Sequence, residues 1–262
     1  MSAARWFLPA ASAVLLSGVL MASQEEAPTN EKRSGLDYVS PETRAMQEDD
    51  TSNPGMLWVL DGETLWNRAE GENGQSCASC HGDAEQNMRG VAARYPVFDT
   101  DSKFPVDLQG RINQCRQARQ KTDPLEYESD ALLALTAYVA HQSRGMPVAP
   151  GADSRLAQFH ENGRRLYEKS IGQLDLACSS CHDERAGERL AGAIIPQAHP
   201  TAYPLYRLEW QTLGSLQRRL RNCMIGVRAE PYAYGSLELV ELELYLMSRA
   251  EGLPVETPGV RP

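Results

Sequence analysis

The chain has 262 residues, a formal net charge of −9 and an isoelectric point near 5.1. An acidic surface of this kind excludes sequence-independent nucleic-acid binding as a plausible role, because a phosphate backbone recruits lysine and arginine in excess. The length suffices for two domains of ordinary size.

In chain order, the first element has the pattern of an export signal. Arg5 supplies a positive start, Trp6 to Ala22 is an apolar run, and the small residues Ala22 and Ser23 precede the polar Gln24-Glu25-Glu26. Residues 1–23 are therefore expected to be a signal peptide, against the alternative of an uncleaved N-terminal anchor. No later stretch is apolar for long enough to span a bilayer, so the mature chain is expected to lack a membrane span and to be periplasmic. Residues 24–55 are polar and acidic, with Glu48-Asp49-Asp50 near their end and no sustained period, and are read as an extended N-terminal arm or linker.

The remainder is a duplication. Gly62-Glu63-Thr64-Leu65-Trp66 matches Gly163-Arg164-Arg165-Leu166-Tyr167, and Cys77-Ala78-Ser79-Cys80-His81 falls in register with Cys178-Ser179-Ser180-Cys181-His182. Leu108 to Cys115 then resembles Leu216 to Cys223, and Ser129, Tyr138 and Gly145-Met146-Pro147-Val148 pair with Ser236, Tyr245 and Gly252-Leu253-Pro254-Val255. Leu132, Leu133, Leu135, Val139 and Ala140 recur at helical spacing, as do Leu239, Leu242, Tyr245, Leu246 and Ala250. The Gly-x-Pro strings that follow should stop those helices. The expected fold is mainly α: two tandem cytochrome c-like domains, residues 56–150 and 151–262, behind the arm.

Cys-x-x-Cys-His carries the cofactor argument. Two thiols on one turn can add across the vinyl groups of a haem, and the adjoining imidazole binds iron from the proximal side. A zinc site would need two further ligands at matching short spacing, and a thioredoxin-like pair would need a βαβ context. Two motifs in register within a repeat therefore predict two covalent haem c groups, held by Cys77 and Cys80 with His81, and by Cys178 and Cys181 with His182. For the sixth ligands the ordinary candidates are Met88, His141 and Met146 in the first half, and His160, His199, Met224 and Met247 in the second. Cys115 and Cys223 are also left over, at matching places. They could form a disulfide, but equivalent positions in a repeat more naturally do the same job twice, here as a thiolate on each iron. Arg111 and Arg219 each precede their cysteine by one helical turn. A guanidinium there would lower the thiol pKa and could grip a sulfonate-like anion, unless it is simply a solvated surface arginine.

Several longer runs resemble a known family, the dihaem SoxA subunit of the sulfur-oxidation cytochrome SoxAX. They are Ser40-Pro41-Glu42-Thr43-Arg44-Ala45-Met46-Gln47, Asn53 to Trp58, Ile195-Pro196-Gln197, His199-Pro200-Thr201, Tyr206 to Gln211, Arg218 to Cys223 and Val227 to Tyr232. The resemblance implies an enzyme, an L-cysteine S-thiosulfotransferase that oxidatively couples thiosulfate to a cysteine of the carrier SoxYZ. It also implies a monohaem SoxX partner that takes electrons onward. By motif match, His182 and Cys223 would be the axial ligands of the active-site haem, Cys223 the modified (persulfide) cysteine, and Arg219 the residue facing the anion. His81 and Cys115 would ligate the other haem. The competing expectation is a dihaem electron carrier or peroxidase with no sulfur-transfer activity.

Overall fold

The computed structural model describes Met1 and residues 31–262, so the expected signal peptide beyond Met1, and the first part of the arm, lie outside the described residues. Its helices are α1 (Pro41–Glu48), α2 (Met56–Asn67), α3 (Cys77–His81), α4 (Ala84–Asn87), α5 (Leu108–Cys115), α6 (Asp130–His141), α7 (Ala157–Glu168), α8 (Cys178–His182), α9 (Leu216–Gly226) and α10 (Leu237–Arg249). Short strands punctuate them: β1 (Val97–Phe98), β2 (Pro105–Val106), β3 (Arg189–Leu190), β4 (Ala193–Ile194), β5 (Leu205–Arg207), β6 (Thr212–Gly214) and β7 (Gly259–Arg261). The mainly α architecture expected from the periodicity is present.

Each lobe rests on one close crossing of two helices, α2 over α6 in the first and α7 over α10 in the second. The repeated glycine explains the closeness. A Cβ on Gly62 would sit 2.2 Å from the Ala134 carbonyl oxygen, and one on Gly163 would sit 2.0 Å from that of Glu241. Only hydrogen lets the two backbones approach to this distance. The partner helices start from equivalent caps, Ser129 Oγ accepting from the Leu132 amide and Ser236 Oγ from that of Leu239, each at 3.4 Å. Helix α6 is buried from Leu132 to Ala140, which makes it the core of the first lobe; Leu239, Leu242 and Leu246 do the same for the second. Each such leucine contributes about 1.5–3 kcal/mol by leaving water.

The arm carries local structure that its composition did not announce. Ser40 caps α1, with Pro41 preset for its first turn. Gln47 Oε1 then accepts from the Val260 amide at 2.9 Å, and Asn53 Nδ2 donates to the Pro258 carbonyl at 2.8 Å. Because β7 runs parallel to β5, these bonds tie the segment preceding the first lobe to the sheet of the second.

The two Gly-x-Pro-Val segments do more than stop helices: they pair with one another. Val148 N donates to Leu253 O, Gly145 N to Val255 O and Val255 N to Met146 O, each at 2.8 Å. Equivalent parts of the repeat also meet where Tyr127 stacks on Tyr234, centroids 6.4 Å apart. Beside that stack lies a buried polar cluster. Gln217 Nε2 donates to Asp107 Oδ2 at 3.0 Å, Gln217 Oε1 accepts from Gly235 N at 2.8 Å, and Tyr127 OH donates to Asp107 Oδ1 at 3.1 Å. Residues Glu31–Pro262 consequently form one compact unit in which the lobes share a polar seam.

Burial raises the pKa of Asp107, and burial together with the Asp107 charge raises that of Glu243 on the facing helix α10. Carboxyls raised in the folded state bind more protons there than in the unfolded chain. Their stabilising effect is full below the ordinary carboxylate pKa and is lost as the pH rises through the raised values. Asp107→Asn keeps the shape without the charge, so its thermal midpoint should rise relative to wild type between pH 4 and pH 8. A constant offset between the two proteins across that range would contradict this account.

Candidate active site

The two Cys-x-x-Cys-His strings form one-turn helices, α3 and α8. Ser76 Oγ accepts from the Ser79 amide at 3.0 Å while Ser79 Oγ accepts from Ser76 N at 3.1 Å; in the second lobe Ser180 Oγ accepts from Ala177 N at 3.2 Å. A helical turn places thiols three residues apart on one face, with the histidine beside them. A tether then fixes the residue after each histidine. Trp66 Nε1 donates to the Gly82 carbonyl at 3.0 Å, and its repeat equivalent Tyr167 donates to Asp183 Oδ1 at 2.9 Å. These anchors explain why large aromatics stand at those positions, a role the sequence pattern alone did not reveal.

The opposite walls are α5 and α9. Cys115 closes α5, and the chain continues directly into a wider π turn, Arg116–Gln120; Cys223 lies inside α9, a continuous helix to Gly226. No disulfide joins Cys115 to Cys223, the alternative pairing expected for the two leftover cysteines. Instead each faces the motif of its own lobe: Cys115 interacts electrostatically with Cys77 and Cys80, and Cys223 with Cys178 and His182. His182 Nδ1 donates to the Pro196 carbonyl at 2.7 Å, so the ring meets Cys223 through its other nitrogen, Nε2.

The two thiols differ in character. Burial pushes the Cys115 thiol up, against the opposing pull of Arg111 and Arg119. Burial also acts on Cys223, but a hydrogen bond from His182, the charge of Arg219 and that of Arg207 outweigh it and hold the thiol below its ordinary value. Burial pushes Cys77 and Cys178 each up to about 11, the Arg116 charge beside Cys77 offsetting only part of it.

The arginines sort in the same way. Arg218 lies over the Trp210 ring at 4.2 Å and Arg221 over Tyr234 at 4.4 Å, so both are occupied with aromatic faces. Arg111 is paired with the buried Asp99 at 3.1 Å. Arg219, by contrast, makes no carboxylate ion pair among the described residues. Burial works against its charge, and the nearby Cys223, Tyr203 and Glu209 more than compensate. Arg207 and Tyr203 belong to this constellation, and neither stood out as a site residue from the spacing of motifs.

Of the other expected iron ligands, His160 is engaged through Nε2, whereas His141 and His199 are held through Nδ1, as His182 is, and the methionines pack in the cores. His141 Nδ1 contacts the Thr257 carbonyl at 3.3 Å, His160 Nε2 contacts Ser248 Oγ at 2.7 Å, and His199 Nδ1 contacts the Arg33 carbonyl at 2.7 Å. Met224 is buried in the second-lobe core, Met247 packs on the Val148–Ala250–Val255 cluster, and Met146 packs over Gly90; Met88 lies against the first-lobe core. Paired thiols, a motif histidine held through Nδ1 and a facing cysteine form a donor set that fits haem c.

The chain matches the SoxA/TsdA cytochrome c domain family over residues 61–148 and 162–255. It belongs to that family of c-type cytochromes, and haem c is its cofactor. Among its relatives is the L-cysteine S-thiosulfotransferase subunit SoxA of Pseudaminobacter salicylatoxidans, 39% identical over 92% of this chain and 84% of that one. The corresponding subunit of Rhodovulum sulfidophilum is 37% identical over 88% and 81%. The fold superimposes on the crystal structure of SoxXA from P. pantotrophus with a TM-score of 0.85 at 34% identity, covering 88% of this chain and 87% of the other.

Tyr167→Phe deletes only the hydroxyl that holds Asp183. It should cost about 1 kcal/mol, which lowers the thermal midpoint by roughly 2–4 °C in a chain of this size. Calorimetry of the haem-loaded protein measures it, and an unchanged midpoint would show that the tether contributes nothing.

Proposed function

We propose that this chain is an L-cysteine S-thiosulfotransferase. It joins thiosulfate oxidatively to a cysteine of a SoxYZ-like carrier, using two haem c groups, one in each lobe. The observation that carries the reading is the pairing of Cys223 and Arg219 on one turn of α9, with Cys223 facing His182. The names of the relatives support the same reaction.

In this reading Cys178 and Cys181 would hold the active haem covalently and His182 and Cys223 would bind its iron; Cys77, Cys80, His81 and Cys115 would do the same for a relay haem. When bound, haem supplies a one-electron acceptor beside the reacting sulfurs. The chain's own residues supply placement. Arg219 receives the anionic oxygens of thiosulfate through its planar fork, and Cys223 presents a sulfur activated by a lowered pKa, the candidate persulfide. Overall one S–S bond forms between the carrier sulfur and the sulfane sulfur of thiosulfate, the carrier thiol loses its proton, and two electrons leave. A SoxX-like monohaem cytochrome would receive them, consistent with the likeness to the SoxXA complex. The export pattern of residues 1–23 supports a periplasmic location, and no described helix is long and apolar enough to cross a membrane. The lobe limits proposed are residues 56–150 and 151–262.

A dihaem electron carrier or peroxidase would need neither Arg219 nor a reactive Cys223. Denatured mature protein should retain two haems by mass spectrometry, and one or none would refute the count. Cys223→Ala should abolish thiosulfate-dependent reduction of an acceptor cytochrome in the presence of carrier, while Cys115→Ala should change the first-haem spectrum and leave measurable turnover. Arg219→Ala should lower the rate roughly ten- to hundredfold, by loss of charge-assisted contacts, with only partial recovery in Arg219→Lys. Normal turnover of Cys223→Ala would refute the sulfur chemistry assigned to it.

A further inference from the structure

The repeat can be aligned residue by residue through its hairpins. In the first lobe β1 and β2 pair Val97 with Val106 and Phe98 with Pro105; in the second, β5 and β6 pair Leu205 with Gly214 and Tyr206 with Leu213. The next rung joins Asp99 N to Phe104 O in one lobe and Arg207 to Thr212 in the other. Each hairpin then runs into the N-cap of a cysteine helix, Asp107 for α5 and Ser215 for α9. Asp99 and Arg207 therefore occupy the same place, just as Arg111 and Arg219 do.

That single difference reverses the electrostatics. In the first lobe a carboxylate stands at the hairpin position and closes on Arg111 at 3.1 Å, and Ser102 and Arg111 hold it ionised, at about 2. In the second lobe a guanidinium stands there instead, near enough to Arg219 and Cys223 for their charges to act on it. Two like charges brought together away from water repel each other, and burial followed by Arg219 pulls Arg207 below the ordinary arginine value. Arg207 has little local compensation. Its side chain is 15% exposed, while its carboxylate partner Glu209, 3.0 Å away, is 67% exposed, so the pair is screened by solvent. Its Nε is buried with no hydrogen-bond partner, and Trp210 offers a ring face at 5.1 Å. An anion is the missing counterpart.

We infer that Arg207 is a second substrate-binding residue, which with Arg219 forms a two-cation clamp for a dianion, and that Asp99 closes the equivalent place in the first lobe. The inference rests on the thiosulfate reading. Thiosulfate carries two negative charges and one arginine neutralises one of them; the pair matches the substrate. The joined product carries a single charge on its sulfonate end, so the same clamp holds product less well than substrate and favours its release.

The test uses the haem-loaded complex with its cytochrome partner. Thiosulfate binding is measured by isothermal titration calorimetry, turnover is measured with carrier, and haem midpoint potentials are measured for wild type, Arg207→Gln, Arg207→Lys and Arg207→Asp. Expected are thiosulfate affinity and KM weakened about ten- to hundredfold in Arg207→Gln, a larger loss in Arg207→Asp, which recreates the first-lobe pair, and partial rescue in Arg207→Lys. The haem potentials and kcat should change far less. Unchanged thiosulfate affinity in Arg207→Gln overturns the inference, as does a shifted haem potential with unchanged KM, which would assign the guanidinium to a haem propionate. A wild-type complex that binds thiosulfate through Arg207 but does not turn over with carrier would refute the reaction while leaving the clamp standing.

Discussion

The hydrogen bond from Gln217 to Asp107 joins the first turns of the two cysteine helices and sets how the lobes face one another. Both ends are buried, and Asp107 is simultaneously the N-cap of α5, accepting from Gly110 N at 2.7 Å. An unpaired amide or carboxyl at that depth would cost about 1–3 kcal/mol, so every donor around it is constrained: Tyr127 turns its hydroxyl inward, and Gly235 presents its amide to Gln217. The position of Cys115 at one end of α5 and of Cys223 within α9 follows from where those helices are forced to begin.

A duplicated fold built this way meets itself along one seam. The segments that meet along the seam are equivalent ones: Tyr127 with Tyr234, and Gly145–Val148 with Gly252–Val255. Each lobe thus presents to the other the same edge it presents itself, and the two attachment sites are held by a rigid, hydrogen-bonded interface. Arm and C-terminus reinforce it, because Gln47 and Asn53 reach the β7 segment that lies against β5, the strand bearing Arg207. The hairpin of the second lobe is therefore braced from outside in a way the first is not.

Similar scaffolds then carry different chemistry through few substitutions. Cys115 is followed by Arg116, which is buried against Glu70, and Cys223 by the apolar Met224 in the second-lobe core. Arg111 is bound by Asp99, whereas Arg219 faces Arg207 and Cys223. Arg111 is thus neutralised locally, whereas Arg219 makes no carboxylate ion pair among the described residues. Changing which charges meet leaves the backbone as it is, because helix crossings such as those at Gly62 and Gly163 need not change.

The attachment motifs, the repeat, the helices from Ser129 and Ser236, and the equivalence of Cys115 with Cys223 were legible in the residues themselves, since each is a local pattern: a spacing, a period or a cap. The role of Trp66 and Tyr167 was not, because a tether to Gly82 or Asp183 depends on where a distant turn lands. Nor was the choice of lobe. Arginine and cysteine occur at the same spacing in both halves, and only the hairpin pairing shows that Asp99, which closes on Arg111, and Arg207 are counterparts. Sequence by itself determined what each half could bind, because those groups are adjacent along the chain. Tertiary structure decided that Arg111 meets a carboxylate while Arg219, among the described residues, does not, because the deciding charge comes from another element.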